Sequence, residues 1–158
     1  MTRFRFRKLT QADAEAVAAW RYPGEYAFYD WTADAGDLAE LLDPDARGEA
    51  YVAAEDTEGE LVGYFSYKPG DPETIVIGLG LRPDRTGHGL GREFVEAGLD
   101  YGRTHYAPNE FSLAVATFNR RAITVYERAG FAPVRTYMHY TNGGDWEFLE
   151  MRRRERSE

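Results

Sequence analysis

The chain reads LRPDRTGHGLGR from Leu81 to Arg92, and this stretch does most to decide the fold. The preceding run, Glu73–Leu81, has three β-branched residues at its centre, which indicates a strand that ends before Pro83. After it, apolar residues recur at helical spacing from Leu90 to Tyr101. The stretch therefore links a strand to a helix through a turn that contains three alternating glycines.

The glycines of this turn, Gly87, Gly89 and Gly91, suit a phosphate group. The start of a helix leaves about four N–H groups without partners and carries partial positive charge. Glycine lets the backbone approach a ligand closely and adopt positive φ, so a cradle for a phosphate is predicted. The turn lacks the Gly-Lys-Ser/Thr of a Walker A loop and the G-x-G-x-x-G spacing of dinucleotide sites. A plain glycine-rich turn and another kind of nucleotide-binding domain remain alternatives for this stretch alone.

A second motif reads NRRAITVYERAGF from Asn119 to Phe131. Asn119 is expected to cap a helix that runs to about Ala129, with Gly130 at the position just after its end. Tyr126 falls on the same helix face as Asn119. Taken alone, Tyr126 fits a core position better than a catalytic one.

Together the two motifs resemble the GNAT acetyltransferase superfamily. Its coenzyme loop is Arg/Gln-x-x-Gly-x-Gly/Ala, and its later helix is Asn-x-x-Ala-x-x-x-Tyr-x-x-x-Gly-Phe. Gly89 and Gly91 match the two small positions of the loop. Thr86 stands where the family has Arg or Gln, which leaves Arg85 or Arg92 to supply a side-chain charge.

The resemblance covers about Glu73–Met151 and is closest to the bacterial ribosomal-protein alanine acetyltransferases. It implies acetyl-CoA as cosubstrate and a primary amine as acceptor. It also implies that strand Glu73–Leu81 splays away from strand Phe111–Ala116, so that the coenzyme arm can add to the free strand edge. The coenzyme-binding residues expected on this basis are Leu79, Gly80, Leu81, Gly87, His88, Gly89, Leu90, Gly91, Arg92 and Asn119.

The resemblance further assigns chemical roles. The Tyr126 hydroxyl is expected to protonate the departing thiolate, and a backbone N–H near Leu81 to stabilise the oxyanion. The alanine acetyltransferases place a glutamate at the position of Ala114, so a general base is missing there. Other candidate bases are Glu73, Asp30 and His139, and proton removal through water is an equal alternative. A CoA-binding module without turnover therefore also stays open.

The missing base bears on the acceptor. A lysine amine has a pKa near 10.4, so only about 0.04% of it is neutral at pH 7. A peptide α-amine with a pKa near 8 is about 10% neutral. The expected acceptor is thus a peptide N-terminus or a small amine of low pKa, with an internal lysine as runner-up.

The predicted fold class is α/β (α+β). We expect a single GNAT-like domain over residues 1–151 and a polar tail over 152–158, with about four helices. Its mixed central sheet has about seven strands and splays between strands four and five. The loop Trp20–Trp31 carries many aromatic residues and is expected either to line the acceptor side or to pack on the core. The other predicted elements are strands Arg3–Arg7, Ala50–Glu55, Leu61–Lys68, Val134–Tyr140 and Trp146–Met151, helix Gln11–Trp20 after Thr10, a helix from Asp34 or Gly36 to Leu42, and a hairpin turn at Asn142–Gly144.

Composition narrows the function classes. The 158 residues include 27 acids and 19 bases, a net charge of −8, which makes nucleic acid a poor partner. The chain has no cysteine, which excludes disulfides, a cysteine nucleophile and thiolate zinc sites, and no metal site is predicted. No apolar run approaches the roughly 20 residues that span a bilayer, and Met1–Lys8 lacks the apolar core of a signal peptide. A cytoplasmic monomer or homodimer without membrane contact is expected.

Overall fold

The computed structural model describes residues 3–155, and within that range seven strands form a single mixed sheet in the order β1-β2-β3-β4-β5-β7-β6. This confirms the predicted fold class. The strands are β1 (Arg5–Lys8), β2 (Tyr51–Glu55), β3 (Leu61–Pro69), β4 (Thr74–Leu81), β5 (Glu110–Ala116), β6 (Ala132–Thr141) and β7 (Gly144–Arg154). The α-helices are α1 (Gln11–Ala18), α2 (Ala35–Leu42), α3 (Pro44–Arg47), α4 (Gly91–Tyr106) and α5 (Arg120–Arg128). No helix in this part of the chain is long and apolar enough to cross a membrane.

The junction of β4 and β5 is the one parallel pairing in the described sheet. It is also short, because only Thr74–Val76 pairs with Glu110–Ser112. Beyond Val76 the two strands separate, and the sheet opens into a V. The predicted splay between the fourth and fifth strands is confirmed.

Each face of the sheet carries its own apolar core. On one face α4 and α5 cover a cluster that includes the fully buried Phe65, Phe94 and Phe111. On the other face α1 and α2 cover a smaller cluster around Val17 and Leu41. The V therefore opens between two packed layers, and a ligand in it can be reached from both faces of the sheet.

The distance between α4 and the sheet is set by small residues. A Cβ atom on Gly98 would lie 2.1 Å from the ring of Phe65, and one on Gly102 would lie 2.8 Å from the ring of Phe111. Such overlaps cannot be relieved in a close-packed core without moving the helix. These two glycines thus hold α4 against the sheet, with its first turn beside the open half of β4.

Several boundaries in the N-terminal third differ from the sequence prediction. The capping box of Thr10 and Asp13 starts α1 as expected, but the helix ends at Ala18 and not at Trp20. The aromatic loop is ordered into 3-10 turns over Gly24–Tyr29 and Trp31–Ala33. Directly after the predicted helix to Leu42, Asp43 and Pro44 start a further short helix, α3, because proline is well tolerated at the first helical position.

The C-terminal hairpin confirms the predicted turn and corrects the predicted tail. Asn142 and Gly143 both have positive φ, 54° and 78°, as a type I′ turn requires. However, β7 continues three residues beyond Met151, because Arg152 is in register opposite Ser112 and forms ion pairs with Glu110 and Glu150. The segment expected to be a solvated tail thus belongs to the sheet as far as Arg154, and residues 156–158 lie outside the described range.

Candidate active site

The opening between β4 and β5 forms a cleft of about 530 Å³. Its walls come from the diverging halves of β4 and β5, the first turns of α4 and α5, and the 3-10 turn at Gly24–Tyr29. The residues that line it include most of the predicted site: Leu79, Gly80, Leu81, Gly87, Gly89, Gly91, Asn119 and Tyr126. His88, Leu90 and Arg92 are not among its lining residues.

The open edge of β4 offers backbone groups from alternate residues. The Arg82 N–H donates to the Val62 carbonyl at 2.7 Å, which fixes the phase of the β3–β4 ladder. In an antiparallel ladder alternate residues bond the same neighbour, so Gly80 also faces β3, whereas Leu79 and Leu81 face the cleft. The backbone edge expected from three consecutive residues is therefore provided by Leu79 and Leu81. Gly80, which has no side chain, leaves room for the ring of Tyr64, since a Cβ at this position would lie 2.6 Å from that ring.

The glycine turn has the geometry of an anion cradle. Gly87 and Gly89 have φ of 76° and 75°, a conformation that residues with a Cβ rarely adopt. A Cβ on Gly89 would meet no atom within 4 Å, so the turn borders free space. Leu90, the residue that precedes the first turn of α4, has no side-chain group to cap that turn. The first N–H groups of α4 are thus available to an anion.

Neither of the two arginines expected to supply charge at this turn faces the cleft. Arg85 forms an ion pair with Asp56 at 3.0 Å on the far side of the turn. Arg92 is exposed and does not line the cleft. The Thr86 hydroxyl, at the family's Arg/Gln position, donates to the Pro83 carbonyl at 2.8 Å and so stabilises the turn itself.

The charge at the turn comes instead from Arg121, in the first turn of α5. Its Nη1 atom lies 3.9 Å from where a Cβ on Gly87 would stand. Its guanidinium lies over the ring of Tyr26, 4.4 Å from the ring centre, and forms no ion pair with any acid among residues 3–155. Sequence reasoning missed Arg121. The available signal was its place two residues after the motif asparagine, at the start of a helix that faces the glycine turn.

Helix α5 positions the two motif residues, Asn119 as its N-cap and Tyr126 in its second turn. The Asn119 side chain accepts from the Ala122 N–H at 3.2 Å and so caps the helix. The Tyr126 hydroxyl makes no hydrogen bond to any residue in the described range. Burial raises the pKa of Tyr126, so its phenol is protonated at neutral pH and can donate.

The aromatic loop joins the two arms of the V. The Tyr22 hydroxyl donates to the Leu81 carbonyl on β4 at 2.6 Å. The Tyr29 hydroxyl accepts from the Ala116 N–H on β5 at 3.3 Å. The Asp30 carboxylate accepts from the Tyr22 N–H at 2.8 Å and so holds the loop's own shape. The loop both lines the cleft and packs on the core, since its Phe28 ring meets Phe118 and Trp146.

No aspartate, glutamate or histidine among residues 3–155 lines the cleft. Glu73 lies in the turn before β4, at the closed end of the V, where its carbonyl accepts from the Asn109 N–H. Asp30 is bound to the loop backbone, and His139 lies on β6 with its ring edge-on to Phe148. None of the three candidate bases therefore lines the cleft.

The ionisable groups in the cleft are phenols and one guanidinium. Burial raises the pKa of Tyr22, of Tyr29 and, most strongly, of Tyr64. All three phenols stay protonated at neutral pH and cannot accept a proton there. The cleft can donate protons and hydrogen bonds but has no side chain that would take a proton from an ammonium ion.

Comparison with known proteins identifies the class. A family model described as Acetyltransferase (GNAT) domain matches residues 3–132. The chain therefore belongs to the GNAT acetyltransferase family, and the resemblance in its two motifs is confirmed.

Curated relatives share part of their length with this chain. The mycothiol acetyltransferase of Salinispora tropica is 34% identical over 139 residues, which is 79% of this chain and 44% of that protein. The mycothiol acetyltransferase of Propionibacterium freudenreichii subsp. shermanii is 37% identical over 93 residues, which is 56% of this chain and 30% of that protein. The chain spans less than half the length of these relatives.

Solved structures agree with the fold along nearly the whole chain. A spermidine N-acetyltransferase SpeG chimera from Vibrio cholerae and hSSAT matches with a TM-score of 0.79 and 20% identity, covering 97% of this chain and 96% of that one. The Vibrio cholerae spermidine N-acetyltransferase in complex with CoA and spermine matches with a TM-score of 0.72 and 20% identity, covering 95% and 94%. At such identities the likeness concerns the fold.

Proposed function

We propose that this chain is an acetyl-CoA-dependent N-acetyltransferase that acts on a primary amine. The observation that carries the proposal is the cleft itself. It combines an unpaired strand edge at Leu79 and Leu81, an open glycine cradle at the start of α4, and the unbonded phenol of Tyr126. Each part matches one portion of acetyl-CoA: the pantetheine arm, the pyrophosphate and the thioester sulfur.

The residues present suit the phosphate end of the coenzyme. The N–H groups of the glycine turn and of the first turn of α4 would bind the pyrophosphate oxygens. Arg121 would add the side-chain charge, in place of the Arg or Gln that Thr86 replaces. The ring of Tyr26 under the guanidinium restrains Arg121 next to the turn, which lowers the entropy lost on binding.

The residues of β4 suit the pantetheine arm and the thioester carbonyl of acetyl-CoA. Leu79 would pair with the pantetheine amides through its N–H and carbonyl, as an added strand does. Because Tyr22 already occupies the Leu81 carbonyl, the Leu81 N–H is the group left free there. It would donate to the carbonyl oxygen on which negative charge develops.

Acetyl transfer from acetyl-CoA to an amine can proceed here without a base on the protein. Acetyl-CoA supplies the thioester; a C–N bond forms as the C–S bond breaks. The acceptor nitrogen loses one proton and the sulfur gains one. Tyr126 would donate its phenolic proton to the sulfur and regain one through water from the nitrogen, so that it ends as it began. The attacking amine must be neutral before it enters, because no lining side chain can deprotonate it.

This requirement favours an acceptor of low pKa. About 10% of an α-amine with a pKa near 8 is neutral at pH 7, compared with about 0.04% of a lysine side chain. We therefore propose a peptide α-amine or a small amine of lowered pKa as the acceptor, ahead of an internal lysine. The alternative function, a CoA-binding module without turnover, is favoured by the same absence of a base. Release of free thiol from acetyl-CoA in the presence of an amine distinguishes the two.

The glycine cradle is tested by Gly89→Glu, which puts a carboxylate where phosphate would bind. Binding of acetyl-CoA and of CoA should both be lost in calorimetry, because the cradle contacts their shared pyrophosphate. Gly59→Glu is the matched control, since Gly59 also has positive φ (82°) and no atom within 4 Å of a Cβ. A folded Gly89→Glu protein that keeps its CoA affinity would show that the phosphates bind elsewhere.

Arg121→Met tests the source of the positive charge. Loss of a charge-assisted hydrogen bond is worth about 1.5–3 kcal/mol, so the Kd for acetyl-CoA should rise roughly ten- to hundredfold. Arg120→Met is the control, because Arg120 is exposed on the same helical turn and does not line the cleft. Equal affinities for the two variants would contradict the role given to Arg121.

Tyr126→Phe removes only the proposed proton donor. We expect kcat to fall by about 10²-fold, the usual scale of general-acid catalysis, with little change in KM for acetyl-CoA. Tyr106→Phe, on the far end of α4, controls for the loss of a phenol as such. An unchanged kcat for Tyr126→Phe would assign that residue to packing.

A further inference from the structure

The acceptor would enter the cleft from the face opposite α4 and α5. Leu79, Leu81, Leu113 and Val115 turn their side chains into the core under α4 and α5, so the alternate residues of both strands face the other way. On that face a Cβ on Gly80 would lie 2.6 Å from the ring of Tyr64. The lining positions of the two strands on this face are Gly78, Gly80 and Ala114.

The small strand residues are surrounded by aromatic rings. Tyr64 lies over Gly80 and packs on Trp31 at 5.7 Å between ring centres. Tyr22 and Tyr29 close the wide end, and both hydroxyls are engaged by the backbone of β4 and β5. These side chains therefore present ring surface, more than free hydroxyl groups, to whatever occupies this face of the cleft.

The charge of the cleft bears on which acceptor it can hold. The one charged side chain among its described lining residues is Arg121, a cation, and it lies at the glycine turn. A second ammonium group on the acceptor would leave water without a carboxylate to pair with, which is unfavourable for a buried charge. An aromatic or branched aliphatic group, in contrast, would bury its surface against rings.

We propose that the acceptor is a monoamine that carries an aromatic or bulky aliphatic group next to the reacting nitrogen, such as the N-terminus of a peptide that begins with an aromatic residue. This rests on the proposed acetyltransferase function and specifies its substrate class. Polyamines are poor acceptors on this view, in contrast to the spermidine N-acetyltransferases that share the fold.

The test compares three amines with the unaltered protein: phenylalanine amide, glycine amide and spermidine. Rates of thiol release are divided by the neutral fraction of each amine, so that amine pKa does not decide the ranking. The kcat/KM for phenylalanine amide should exceed that for glycine amide by at least about tenfold, the discrimination that apolar pockets reach. Spermidine should react more slowly than both.

A matched pair of variants tests the missing carboxylate directly. Ala114 is exposed in the cleft, so Ala114→Asp and its uncharged counterpart Ala114→Asn can be made without disturbing the core. Because a base at this position would act on kcat, the readout is KM: Ala114→Asp should lower the KM for spermidine relative to that for phenylalanine amide, and Ala114→Asn should not. Acetyl-CoA affinity, measured by calorimetry, reports whether each variant keeps its coenzyme side intact.

The outcomes separate the two levels of the proposal. Faster reaction of spermidine, or equal rates for phenylalanine amide and glycine amide, would overturn the acceptor class and leave the acetyltransferase function standing. Binding of acetyl-CoA without thiol release for any amine would overturn the proposed function itself. Preference for phenylalanine amide, with the KM for spermidine lowered only by Ala114→Asp, supports the proposal.

Discussion

The separation of β4 from β5 after Val76 is the feature on which the rest of the structure depends. Buried backbone N–H and C=O groups need partners, and an opening inside a sheet removes them from both strands at once. Two tyrosines meet part of this need: Tyr22 bonds the Leu81 carbonyl and Tyr29 bonds the Ala116 N–H. The groups that remain unpaired define a narrow strip of polar backbone in a cleft lined mainly by apolar and aromatic side chains.

The layers on either side keep this opening in shape and give its two faces different chemistry. On one face the glycines of α4 let the helix lie against β3 and β5, so that its first turn and the glycine turn before it stand beside β4. On the other face the aromatic loop and Tyr64 supply rings, with only glycine and alanine on the strands. One face is thus suited to anions and the other to apolar groups.

The two motifs allowed most of the fold to be predicted, since the strand, glycine turn and helix from Glu73 to Tyr101 have strong local signals. The cap by Asn119 and the Asn142-Gly143 turn are also local, and both are observed. The role of Tyr22 was not predictable, because its partner Leu81 lies 59 residues away. Arg121 was missed for the same reason: its position beside Gly87 depends on how α5 packs next to the turn.

The central claim is that the cleft donates protons but accepts none, so the acceptor must be neutral when it attacks. The dependence of kcat/KM on pH tests this most directly, with two acceptor amines of different pKa. Below the pKa of each amine, kcat/KM should rise about tenfold per pH unit, and above that pKa it should level off. The pH at which the profile levels off should therefore differ between the two amines as their pKa values do. A break at one fixed pH for both amines, below the pKa of either, would reveal a titrating base on the protein and contradict the account.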